Sequence, residues 1–243
     1  MMSFKSVEHI FAWSILLFRP TFDNYRKLLL DALFLRSFYN TIIISGVALL
    51  ISIPIGTLAG YSLARMPSNI SKLLGFWILT TVMFPPIVMV IPFYLLMQKW
   101  HLLGTKQGLI FVYISMNLPL IVWLMKGFVA EIPSEIEEAA LVDGCSRLRA
   151  FFSIVIPLAR PGLITASLLC LIVSTNQFLF PLILGGADAR TIPVAVVRFV
   201  GGYSTEWGPA CAASSLAILP VLSYAFLARK YLVRGMTLGA VRG

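Results

Sequence analysis

Residues Glu131–Gly144 read EIPSEIEEAALVDG. The chain holds ten acidic residues in 243, and Glu131, Glu135, Glu137, Glu138 and Asp143 all fall here. Uncharged apolar runs flank the stretch, Gln107–Met125 before it and Pro161–Ala187 after it. Each run is long enough to cross a hydrocarbon core of about 30 Å as a helix, which takes about 20 residues. A charged island between two such runs reads as a polar loop joining membrane spans, and that reading decides the fold class.

Three more uncharged runs lie further out, at Ser37–Ala64, Leu73–Gln98 and Trp207–Ala228. Hydrophobic residues make up 59% of the chain and charged residues 12%, and the mean hydropathy is +0.91. A soluble domain carries about 25% charged residues, so this chain has too little polar surface to cover a soluble globule. The runs do not alternate as barrel strands do. A helix satisfies its own backbone hydrogen bonds in lipid. The expected class is therefore all-α, a polytopic transmembrane helical bundle with five visible spans. They are placed at about 38–64, 73–97, 107–127, 162–184 and 207–228, within a membrane domain of 37–228.

A net charge of +9 would suggest nucleic acid in a soluble protein, but the basic residues are scattered and form no aromatic–basic patch. In a membrane protein they sit in loops and set topology. Cys145, Cys170 and Cys211 fit no zinc or redox spacing and read as small buried hydrophobes. His101 has only His9 for company, so no metal site is expected.

The runs contain features a passive anchor does not need. GTLAG (Gly56–Gly60) is a small-xxx-small pattern, which is either a close helix contact or a chance occurrence. Pro85, Pro86 and Pro92 interrupt the second run and invite a kink. Asn117, and Asn176–Gln177–Phe178 in STNQFLFP, place amides at membrane depth. They read either as glue between helices or as part of a solute pathway.

Residues 1–36 do not span. Glu8 interrupts the apolar part of SVEHIFAWSILLF, and the stretch lacks the basic start and cleavage site of a signal peptide. The part from Arg19 to Ser37 is amphipathic and reads as interfacial. With the island inside, five spans place ten basic residues inside and nine outside, which fixes no orientation. Without the five in the N-terminal stretch the count is ten against four, a clear bias.

The island carries its own helix signals. Ser134 and Glu137 fit a capping box, Glu135, Glu137 and Glu138 suit a helix N-terminus, and Gly144 suits a left-handed C-cap. Helical spacing groups Ile136, Ala139 and Ala140, with Asp143 continuing that side. A second short helix, about Ser146 to Ile154, is expected to end before Pro157 and Pro161. Such a helix pair is either a docking element or a solvated loop.

The wider stretch EAALVDGCSRLRAFFSIVIP resembles the EAA motif of bacterial ABC-transporter permeases. Glu138, Ala139, Ala140, Gly144, Ile154 and Pro157 occupy the motif positions, and Ile156 stands where Leu is usual. The chain from about Ser3 onward is similar to the carbohydrate-uptake branch, typified by the maltose permease second subunit. The stretches that carry this include PTFDNYRKLL, LAGYSLAR, PLARPGL, NQFLFPLIL and LVRGMTLGAVRG. Thr175–Asn176–Gln177 replaces the more usual Trp-Asn-Glu, which removes an acid at membrane depth.

The resemblance implies a non-enzymatic permease subunit in a bacterial inner membrane. With a second permease it would form the pathway for a sugar or sugar-like solute. Two ATPase subunits would bind ATP, so no cofactor is expected here, and an extracytoplasmic binding protein would deliver the solute. The chain has no Gly-x-x-x-x-Gly-Lys-Ser/Thr loop. Residues 129–160 would form a cytoplasmic coupling loop and 229–243 a cytoplasmic tail, leaving 1–36 on the far side. Coupling is expected of Glu138, Ala139, Ala140, Asp143, Gly144, Ile154 and Pro157, and a solute pathway of Asn117, Asn176, Gln177 and Phe178. Family members usually have six spans, so the resemblance implies a first span upstream of Met1, lost to a late-assigned start or a truncation. Other solutes, such as glycerol phosphate or polyamines, suit the same machinery. A self-contained secondary transporter or channel would need intramembrane charges that these runs lack.

Overall fold

The computed structural model describes residues 2–5, 20–66, 68–201 and 206–240. Residues 6–19 of the N-terminal stretch and 241–243 of the expected tail lie outside it. Among the described residues every regular element is helical, and the chain is an all-α, multi-pass membrane protein. The helices are α1 Asp23–Leu30, α2 Ala32–Arg65, α3 Asn69–Val82, α4 Pro86–Lys99, α5 Lys106–Ala130, α6 Ser134–Val142, α7 Arg147–Leu158, α8 Arg160–Thr175, α9 Leu179–Leu184, α10 Ile192–Val197 and α11 Trp207–Ala240. Three of them, α2, α5 and α11 through Lys230, are long and apolar enough to cross a membrane. The number rises to five if each bent pair, α3 with α4 and α7 with α8, counts as one span.

The breaks follow from the sequence. In place of one helix over 73–97, α3 stops at Val82 and α4 starts at Pro86. Pro85 has no N–H to continue the ladder and forces Phe84 out of helical geometry. The carbonyls left over are taken in tight turns: Met83 N–H donates to Thr80 O at 3.1 Å and Phe84 N–H to Thr81 O at 3.4 Å. Pro86 then opens α4, where a proline costs no hydrogen bond. The expected span 162–184 is also two helices, α8 and α9, separated at Asn176–Phe178.

The chain divides into two compact units. The first comprises Met1–Val47, Pro86–Val112 and Val173–Ser223. Its core holds Leu28, Phe34, Ile192, Ala212 and Ala213. Asp31 ends α1 and caps α2, accepting from Leu33 N–H at 2.9 Å and Phe34 N–H at 3.3 Å. It also pairs with Arg198. Asn40 Nδ2 donates to the carbonyls of Asp188 and Arg190 at 2.9 and 3.0 Å, which fastens the loop after α9 to α2.

The second unit comprises Ala48–Pro85, Tyr113–Ile172 and Tyr224–Gly243. Its core runs from Ile121, Met125 and Val129 of α5 through Phe151 and Val155 of α7 to Ala166 and Cys170 of α8. Gly56 and Gly60 of α2 face α5. A Cβ at Gly60 would stand 2.9 Å from both Met125 Cβ and Val122 O. The small-xxx-small pattern is a real close contact, and backbone on the far side leaves nothing to give way.

Two outcomes follow. Gly60→Ala should destabilise by about 1–3 kcal/mol through overpacking, read as a lowered unfolding midpoint in detergent. Gly46→Ala, where a Cβ meets nothing within 4 Å, should change it little. The second outcome concerns pH. Burial alone would raise the Asp31 carboxyl, but the Phe34 N–H, the Arg198 guanidinium and the Leu33 N–H together hold it below the usual carboxylate range. A lowered folded-state value adds stability above the unfolded value and loses it as pH falls through the folded one. Asp31→Asn keeps a good cap and removes the ion pair. It should lower the midpoint at pH 7 by the equivalent of less than about 1 kcal/mol, and the difference should close below about pH 4.

Candidate functional site

The charged island folds as two helical arms, α6 and α7, that pack on each other and bury Ala140 and Ala150. The first arm ends as a Schellman turn. Cys145 N–H donates to Ala140 O at 2.9 Å and Gly144 N–H to Leu141 O at 3.1 Å, with Gly144 at φ +85°. A left-handed residue is required there, and glycine adopts it without strain. The second arm opens with Ser146 Oγ accepting from Arg149 N–H at 3.3 Å.

The expected capping box at the start of α6 does not form. Pro133 is the N-cap residue and no side chain caps the helix. Glu137, which by position suits a helix N-terminus, is 6% exposed. One carboxylate oxygen pairs with the Arg65 guanidinium, and the other accepts from Tyr61 OH at 2.9 Å. Arg65 also donates to Ile132 O at 3.0 Å. The Tyr61 ring lies 4.8 Å from that of Phe151 on the other arm. A buried carboxylate held by a guanidinium and a phenol outcompetes a reach back to one backbone N–H. The last turn of α2 is thus bound to both arms of the island.

The second arm also differs from expectation, because Pro157 does not end it. Phe151–Val155 is a π-helical turn, Ile156–Leu158 continues the helix, and the chain bends by 74° only between Leu158 and Arg160. The wider turn ahead of Pro157 relieves the clash its ring would make in a regular helix.

The residues expected to couple are therefore unequal. Glu138, Ala139 and Asp143 are exposed, Gly144 is an exposed turn residue, Ile154 and Pro157 are half-buried, and Ala140 is buried. The outer surface carries large apolar side chains that sequence reasoning passed over: Val142 at 88%, Leu148 at 64% and Phe152 at 61% exposure. Their number within one loop was the available signal, since exposed apolar patches mark interaction surfaces.

Of the residues expected on a pathway, Asn117 lies buried in α5 of the second unit, with Cys170 Sγ 4.0 Å from its carbonyl. Asn176, Gln177 and Phe178 form the non-helical link between α8 and α9 in the first unit, with Asn176 and Phe178 exposed. Irregular backbone at membrane depth is tolerated where it is buried in protein or lines a water-filled cavity. Among the described residues no cluster of His, Cys, Asp and Glu could hold a metal ion.

The Arg65–Glu137 pair is testable by a double-mutant cycle. Glu137→Gln leaves a guanidinium without its counter-ion and should cost about 3–5 kcal/mol. Arg65→Leu/Glu137→Leu should unfold at a higher temperature than either single variant.

Comparison with known proteins agrees with this architecture. A family model described as binding-protein-dependent transport system inner membrane component matches residues 52–238. The trehalose/maltose transport system permease protein MalG of Thermococcus litoralis is 33% identical over 230 residues, covering 93% of this chain and 83% of that protein. The trehalose permease protein SugB of Mycobacterium tuberculosis is 35% identical, covering 92% and 82%. The diacetylchitobiose uptake permease protein DasC of Streptomyces coelicolor is 35% identical, covering 84% and 74%. In the solved structures, a chain of a bacterial ABC transporter that imports alginate aligns with TM-score 0.76 at 24% identity, covering 95% of this chain and 87% of that one. The chain belongs to the family of binding-protein-dependent transport system inner membrane components.

Proposed function

We propose that this chain is the membrane subunit of an ATP-driven sugar importer, and that the island is the element through which ATP hydrolysis on a partner moves the spans. One observation carries the coupling reading: a loop with an exposed apolar and acidic surface is tied to the end of a membrane-spanning helix by a buried ion pair. A solvated loop has no need of that attachment. Sugar as the solute is supported by the similarity to permeases named for trehalose, maltose and diacetylchitobiose transport.

In this reading the island lies in the cytoplasm against one of two ATPase subunits, which bind and hydrolyse ATP. This chain supplies no catalytic residue and holds no cofactor. A second permease completes the pathway, and an extracytoplasmic binding protein delivers the solute. Val142, Leu148 and Phe152 provide apolar contact, while Glu138, Ala139 and Asp143 provide the acidic, low-profile part of the surface. Ala140, Gly144, Ile154 and Pro157 act by shaping the loop. Asn176, Gln177 and Phe178, at the broken helix, line the solute path. An uncharged amide pair suits hydroxyl-rich solutes, which need both donors and acceptors.

Co-purification of the tagged chain with a co-expressed ATPase subunit tests the docking. Val142→Glu/Leu148→Glu and Glu138→Lys should each weaken retention by at least about tenfold, the loss expected of central interface residues. Solute uptake should fall with it while the unfolding midpoint stays unchanged. Undiminished retention in all of these variants would remove the island from the interface.

A further inference from the structure

Lys126 stands one turn before the end of α5, about 6 Å from Ala130 at 1.5 Å per residue. A long basic side chain at such a depth normally snorkels to the water interface. This one lies across α3 instead. A Cβ placed on Gly75 would be 2.7 Å from its Nζ, so the glycine leaves the space that the ammonium occupies. Lys126 is half-buried and forms no ion pair with any described residue.

The ammonium borders a cavity of about 500 Å³, within the range of about 300–1,000 Å³ typical of small-molecule sites. Phe76 and Leu79 of α3 and Val122 and Phe128 of α5 give it an apolar wall, and the exposed Glu131 also lines it. The neighbouring surface of α3 exposes Leu73, Leu74 and Trp77, so the cavity opens beside a face suited to hydrocarbon.

We infer that this cavity binds one phospholipid whose headgroup carries both a phosphate and an ammonium, as in phosphatidylethanolamine. The phosphate sits on Lys126, the headgroup ammonium on Glu131, and an acyl chain runs along the wall of Phe76, Leu79, Val122 and Phe128. Charge complementarity carries the assignment. A partly desolvated ammonium without a counter-ion favours an anion. Glu131 on the same cavity disfavours a second negative charge and favours a cation, which the uncharged glycerol of phosphatidylglycerol does not offer. Basic pockets between membrane helices are recurrent headgroup sites, and here the apolar wall extends that recognition to the tail.

Native mass spectrometry of the full-length chain, with phosphatidylethanolamine or phosphatidylglycerol added, tests this. The wild type should retain one phosphatidylethanolamine in preference to phosphatidylglycerol. Lys126→Gln should lower retention by about tenfold or more, and Glu131→Gln should abolish the preference between the two lipids. Gly75→Val should also lose the lipid. The atom it displaces is the far end of a flexible side chain, so its unfolding midpoint should hold. The exposed Lys72→Gln should bind as the wild type does. Retention unchanged in Lys126→Gln would overturn the proposal, as would equal binding of both lipids by the wild type. Release of the lipid by inorganic phosphate alone would identify a bare anion site and overturn it too. A photoreactive residue at Leu79, in the chain co-expressed with its partner subunits, should label phospholipid; labelling of another protein chain would assign the groove to a subunit interface.

Discussion

Every backbone N–H and C=O within hydrocarbon must find a partner inside the protein, and the architecture follows from that constraint. It makes the spans helical and makes every departure from a helix costly. The departures are therefore confined to points where the sequence supplies a substitute. At Met83–Pro85 the loss of the proline N–H is met by tight turns to Thr80 O and Thr81 O. Where the island meets α8, the 74° bend at Ala159 follows a π turn. At Asn176–Phe178 two amide side chains stand beside the opened backbone. Prolines within α2, α4, α5 and α11, by contrast, are carried without a break.

The same constraint governs charge. A carboxylate or guanidinium out of water costs several kcal/mol unless paired, so Arg65 and Glu137 are tolerable only together. A buried ion pair is often no more stabilising than two apolar residues of similar volume. What the pair does provide is a fixed register between α2 and the island, because the guanidinium also reaches Ile132 O and the carboxylate also reaches Tyr61. A hydrophobic contact could slide along the helix surface, whereas this set of bonds holds at one position. A loop that transmits force to a membrane helix needs that property, and it sits 72 residues away in sequence from the helix it holds.

That separation explains what was legible in the sequence. Spans, island and turn residue are local properties of composition and spacing, so α2, α5, α6 and the left-handed Gly144 could be read directly. The breaks were partly legible. Pro85 and Pro86 signalled one, but Asn176–Phe178 carried only amides, which could equally have been buried glue. Glu137 was misread because its local signal, three residues after Ser134, matched a capping box. The partner that outcompetes the cap comes from another helix, and no local pattern marks Arg65 as its partner. Pro157 was misread as a terminator for a similar reason: the π turn that accommodates it depends on how Phe151 and Val155 pack in the core.

The island finally separates two kinds of residue that a sequence motif presents as one. Ala140 is small because it is buried between the arms, and Gly144 is glycine because its φ is positive. Both requirements exist before any partner arrives. Glu138, Ala139, Val142 and Leu148 meet no such internal requirement, since their side chains project from the folded loop. A substitution at Gly144 that weakens docking therefore reports on the shape of the turn, and one at Val142 reports on the contact itself. The motif is as much a description of how a short loop is made rigid as of what it touches. Rigidity is the part that Arg65 and Glu137 complete, from outside the motif's Glu-Ala-Ala and glycine positions.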